Sequence, residues 1–133
     1  MDVLAHFRKA RNMVTMPRGA VIFTEGEAGS TMYVVIQGRA EISVGGQNVG
    51  SAGPGALLGE MALVSSTPRS ATVVAGTECK LVSVDARQFD LLVRESPEFA
   101  RHVMTLMAER LRNTNARLQQ ALAELAPRGR RPK

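Results

Sequence analysis

The chain changes its pattern once, near residue 85, and that change constrains the fold more than any other feature. From residue 14 to 84 the apolar runs are short and turn residues interrupt them, so that 20–24, 32–36, 40–44, 70–75 and 79–84 each read as a strand. The third run alternates, which sends Ala40, Ile42 and Val44 inward and Glu41 and Ser43 outward; Gly45-Gly46 directly after it is a hairpin signal. Short strands at regular spacing with glycine turns build a sandwich, barrel or roll. Past residue 85 the pattern is helical. Asp85-Ala86-Arg87-Gln88 resembles a capping box opening a helix over about 85–95. Ser96-Pro97 starts the next helix, and no strong breaker follows until Pro127. Ahead of the strands, Asp2 as N-cap followed by Val3, Leu4 and Phe7 predicts a short helix over 2–11. The expectation is an α+β chain: an antiparallel, jelly-roll-like β-roll over about 13–84 and helices over 85–126, all within a single domain spanning 1–126.

Charge argues against a nucleic-acid surface on that domain. The net charge is +5, but four of the 17 Lys and Arg lie in the 127–133 tail, which leaves 13 cations against 12 acids elsewhere. The tail is expected to be basic and disordered. Aromatic residues are few and Trp is absent, so a base-stacking platform is not expected. No apolar run approaches the ~18 residues of a membrane span, and the N-terminus lacks a secretory signal. The lone Cys79 cannot form an internal disulfide and fits a reducing, cytoplasmic setting.

Chemistry concentrates in one stretch. Gly55-Ala56-Leu57-Leu58-Gly59-Glu60-Met61-Ala62-Leu63, then Thr67-Pro68-Arg69-Ser70-Ala71-Thr72-Val73, joins a glycine bend, one carboxylate, an apolar segment able to form a helical turn, and one Arg beside a hydroxyl. An anion needs free backbone N–H groups and a guanidinium, whose planar fork holds two phosphate oxygens. A carboxylate so close would repel a phosphate unless it faces another part of the ligand, and a ribose hydroxyl is the obvious candidate. The combination suits a small sugar phosphate.

This stretch resembles the phosphate-binding cassette of the cyclic nucleotide-binding domain. The family pattern, Gly-Glu-(Leu/Met)-Ala-Leu followed by Pro-Arg-(Ala/Ser/Thr)-Ala-Thr-Val, is met by Gly59-Glu60-Met61-Ala62-Leu63 and Pro68-Arg69-Ser70-Ala71-Thr72-Val73. Gly26-Glu27-Ala28-Gly29 and Tyr33-Val34-Val35-Ile36-Gln37-Gly38 resemble the domain's early strands and turns, and the similarity covers about residues 13–112. The resemblance implies that Arg69 binds the equatorial phosphate oxygen and that Glu60 accepts the ribose 2′-OH. It also implies that backbone N–H groups near Gly59, Met61 and Ala62 face the phosphate and that Ser70 adds a hydroxyl bond. Ser70 leans the expected ligand to cAMP, with cross-binding of cGMP allowed.

The predicted helix over 97–126 carries Met104, Leu111, Leu118 and Leu125 every seventh residue, interleaved with Ala108, Asn115 and Leu122. If the first set is d and the second a, the expectation is the seam of a parallel homodimer with one Asn at an a position; the alternative is a stripe packed on the chain's own roll. The early residues of the helix, Phe99, Val103 and Leu106, suit packing on the roll. By resemblance, a pair of polar residues on this helix reaches the base, one from each subunit, and the pair falls on Thr114 and Asn115. Thr114 matches the family's residue; Asn115 departs from it but still offers an amide, for the base or for the seam.

No catalytic constellation is present: His6 and His102 have no metal spacing to Cys79, and no nucleophile elbow or cysteine pair occurs. An enzyme is not expected, nor a metal. Only residues 127–133 follow the long helix, too few for a helix-turn-helix, so this chain alone is not expected to bind DNA. The expectation is a stand-alone sensor whose C-terminal helices move on binding ligand and signal to an unidentified downstream protein. The alternatives are the ligand-binding fragment of a transcription regulator or channel, and a degenerate domain that only dimerises or docks.

Overall fold

The computed structural model describes residues 2–126; the tail over 127–133 lies outside the described residues. The helix α1 (Val3–Phe7) leads into eight strands: β1 (Met13–Met16), β2 (Val21–Phe23), β3 (Thr31–Gln37), β4 (Ala40–Val44), β5 (Gln47–Ala52), β6 (Leu57–Leu58), β7 (Thr72–Ala75) and β8 (Cys79–Asp85). A short α2 (Glu60–Ser65) interrupts them between β6 and β7, and α3 (Ala86–Glu95) and α4 (Pro97–Leu125) close the chain. The strands form two four-stranded sheets, ordered β1-β8-β3-β6 and β2-β7-β4-β5, with every pairing antiparallel. This is the expected β-roll with its C-terminal helices.

The helix starts follow the sequence closely. Asp85 Oδ1 accepts from Gln88 N at 2.8 Å while Asp85 N donates to Gln88 Oε1 at 2.9 Å, completing the capping box of α3. Ser96 caps α4 by accepting from Phe99 N, with Pro97 in the first turn. Asp2 caps α1, but that helix ends at Phe7 and not at residue 11, because the chain must turn into β1.

Two apolar layers hold the fold. One lies between the sheets and includes Phe23, Val35, Leu58, Val73 and Leu81. The other joins the first sheet to the helices, where Phe99 meets Phe7 and Phe89 edge-on with centroids 6.2 Å and 5.9 Å apart. Strand β3 serves both, with Val34 in one layer and Val35 in the other. Gly45 and Gly46 both take positive φ, as a two-residue hairpin turn between β4 and β5 requires. The alternation expected for β4 does not run to its end. Ala40 is buried, Ile42 is partly buried and Val44 is exposed, because the pairing with β5 shifts register after Ile42 and the hairpin tip leaves the layer.

The strands without a sequence signal, β1, β5 and β6, are all edge strands. Among the described residues no helix is long and apolar enough to cross a membrane, and no group of three or more His, Cys, Asp and Glu is arranged to hold a metal ion.

Candidate functional site

The site begins where β6 ends. Gly59 takes φ +80° as N-cap of α2, and a Cβ there would strike Arg69 Nη1 and come within 3.2 Å of Phe23. A Cβ on Gly29 would likewise strike the Arg69 guanidinium. Two glycines far apart in sequence thus clear one channel for one side chain. The backbone of Arg69 is fixed from the same direction: Gly26 N donates to its carbonyl at 2.9 Å, and its own N–H donates to Glu27 O at 2.8 Å. After α2 the chain turns at Ser66 (φ 55°), with Ser65 Oγ donating to Met61 O at 2.8 Å and lying 2.9 Å from Thr67 Oγ1.

Arg69 is 8% exposed. Its guanidinium carbon sits 4.2 Å above the centre of the Phe23 ring, and Nη1 donates to Gly59 O at 3.4 Å. Among the described residues no carboxylate pairs with it. Burial lowers the Arg69 pKa, while Tyr33 and Glu27 pull it back up. A nearly buried guanidinium, with one long hydrogen bond to share among its donors, is chemically ready for an anion.

Glu60 lies opposite and is fully buried. Arg110, from α4, donates Nη1 to Glu60 Oε1 and Nη2 to Leu57 O. Oε2 is buried without a hydrogen-bond partner among the described residues. Burial raises the Glu60 pKa, an effect that Arg110 and the local hydrogen bonds partly offset. A buried carboxylate oxygen without a donor is costly, and a ligand hydroxyl is the kind of group that would relieve it.

Arg69 and Glu60 line one cleft, together with Gly59, Met61, Ala62 and Ser70, and with Phe23, Ile42, Val73 and Arg110. Six of the eight residues expected from sequence are therefore brought together. Ala62 N–H donates to Gly59 O at 3.3 Å, a turn bond inside the cassette itself. Thr114 and Asn115 are exposed and do not line the cleft. At about 100° per residue, Thr114 lies on the side of α4 that carries Arg110, and Asn115 on the side that carries Leu111 and Leu118. Arg110, Phe23 and Ile42 were not legible as site residues. Arg110 is one of several Arg on α4, and its partner lies 50 positions away, so no local signal marks it.

The seven-residue repeat is also resolved. Phe99 and Val103 are buried on the roll and Leu106 is packed against it, as expected. Met104, Leu111, Leu118, Leu122 and Leu125 are exposed, so this stripe does not pack on its own roll.

Comparison with known proteins agrees with this fold. The profile of the cyclic nucleotide-binding domain matches residues 13–96. The chain is 45% identical over 98 residues to a cyclic nucleotide-gated potassium channel of Mesorhizobium japonicum, covering 74% of this chain and 27% of the channel. It is 31% identical over 122 residues to a CRP-like cAMP-activated global transcriptional regulator of Mycobacterium tuberculosis, covering 88% of this chain and 54% of the regulator. The catabolite activator protein of Thermus thermophilus superposes with a TM-score of 0.73 at 32% identity, over 82% of this chain and 54% of that one. The chain thus spans about half or less of the length of these proteins. The match reaches from β1 to the end of α3, enclosing both the arginine and the carboxylate of the cleft, and the chain belongs to the cyclic nucleotide-binding domain family.

Proposed function

We propose that the chain binds cAMP in the cleft between α2 and the roll and acts as a sensor, not an enzyme. The observation that carries this reading is a pair of groups on one cleft that, among the described residues, lack a partner: the nearly buried Arg69 guanidinium, which pairs with no carboxylate, and the buried Glu60 Oε2, which accepts no hydrogen bond. A cyclic nucleotide offers a phosphate to the first and a ribose hydroxyl to the second. Ser70 beside Arg69 and the cAMP-activated relative favour adenine over guanine. Calorimetric titration with cAMP and cGMP side by side tests the assignment. Saturable binding with cAMP the tighter ligand supports it; tighter cGMP binding overturns the base preference, and no binding of either overturns the function.

The output is a movement of α3 and α4 relative to the roll, which ligand drives by binding one arrangement better. Arg110 is the link, since it reaches from α4 to the carboxylate that meets the ribose. The exposed Leu111, Leu118 and Leu125 then form the seam of a parallel homodimer. Thr114 turns toward the cleft of its own subunit, and Asn115 toward the base held by the other. The molar mass in solution tests the seam, twice the chain mass being the expected value.

A further inference from the structure

Helix α4 leaves the apolar core after Met107, and every residue over 108–125 is exposed. Two arginines, seven residues apart and on nearly the same side of the helix, tether this half to the roll. Arg110 reaches Leu57 O and Glu60, and Arg117 donates Nη1 to Val49 O. Arg110 belongs to the cleft; Arg117 does not line it.

The acceptor of Arg117 is unusual. Strand β5 is an outer strand of its sheet. Along it, Gly50 pairs with Ile42 and Asn48 with Ser43, so Val49 is the extra residue of a β-bulge. Asn48 Oδ1 accepts from Gly50 N at 3.0 Å, which fixes the bend. The bulge residue thus presents its carbonyl to the helix, and Ile42, at the same register step, is a wall of the cleft. One hydrogen bond therefore joins the free half of α4 to the hairpin that carries one side of the site.

We propose that Arg117 is a positioning residue: by fastening the Val49 bulge to α4, it fixes the separation between the Ile42 wall and the Arg110 wall and so slows release of nucleotide. The inference rests on the reading of the cleft as a cyclic-nucleotide site. Its ligand rests on that reading; its mechanics do not.

The test compares Arg117→Ala, Arg117→Lys and Arg112→Ala, the last removing a charge from the same helix without touching the hairpin. Amide exchange without added nucleotide is read over 47–51 and 111–118, and cAMP dissociation by stopped flow. Arg117→Ala is expected to raise exchange in both segments together by about tenfold and to speed cAMP release about fivefold, the scale of one charge-assisted bond at an exposed position. Arg117→Lys, which keeps a cationic donor, restores most of both, and Arg112→Ala matches the wild type. Unchanged exchange over 47–51 in Arg117→Ala, or an equal effect of Arg112→Ala, overturns the proposal. Coupled exchange in a protein that binds no cAMP leaves the fastening standing and removes the nucleotide reading instead.

Discussion

The cassette around Gly59–Ser70 and the distal half of α4 both bear on the same cleft, but they are built in opposite ways. In the cassette, backbone geometry dictates where the side chains go. A left-handed glycine opens α2, a hydrogen-bonded turn clamps the Arg69 backbone, and two glycines leave space for its guanidinium. In α4 beyond Met107 nothing is buried, and long arginines reach acceptors 50 to 68 positions away. The first is a pre-formed half-site; the second is the half proposed to move, held by a few polar bonds. The proposed sensor needs both, because ligand must find a shaped pocket and also shift something.

The largest effect should come from the pre-formed half. Arg69→Ala removes the only cation placed for the phosphate by the cassette and is expected to weaken cAMP about a hundredfold, two charge-assisted bonds, with cooperative unfolding retained; calorimetry and a denaturant melt check both parts. Gly59→Ala strikes the geometry and not the charge. Forcing a Cβ into positive φ and against Arg69 should cost about 2 kcal/mol of stability and roughly thirtyfold in affinity, read by chemical denaturation and titration. If Gly59→Ala binds as well as the wild type, the cassette geometry dictates less than the comparison holds.

Glu60 stands where the halves meet. Its pKa is raised by burial, so the native state keeps its proton to higher pH than the unfolded chain does. The stability this group contributes is therefore fully present below its ordinary value of 4.5 and is lost as pH rises through the raised folded value. Glu60→Gln should abolish that decline, so that the stability difference between variant and wild type moves in favour of the variant as pH rises from 4 to 7. Urea melts across the range provide the measurement. Affinity for cAMP should fall about tenfold at the same time. The smallest effect belongs to the half proposed to move: Asn115→Ala, which on the proposed reading removes one neutral hydrogen bond to the base, should weaken cAMP by about fivefold or less.

The same contrast explains what could be read from sequence. The cassette was legible because its chemistry requires particular residues in contiguous order, and Gly26-Glu27 proved to be the turn that clamps Arg69. Interior strands showed their apolar runs. Of the four edge strands only β2 showed its run, Val21-Ile22-Phe23; β1, β5 and β6 did not, since their few apolar residues are spaced by polar or glycine positions or number only two, as in Leu57-Leu58. Val44 followed the alternation on paper and not in space, because the bulge at Val49 breaks the ladder beside it. Arg110 carried no signal, as only the folded chain brings it to Glu60.

The claim on which the rest depends is that Glu60 and Arg69 hold opposite ends of one nucleotide. Titrating cAMP and 2′-deoxy-cAMP against the wild type and Glu60→Ala tests it directly. Loss of the 2′-hydroxyl should weaken binding about tenfold in the wild type and hardly at all in Glu60→Ala, whose side chain has no acceptor left for that hydroxyl. An equal penalty in both proteins would contradict the account, for the hydroxyl would then be meeting some other group.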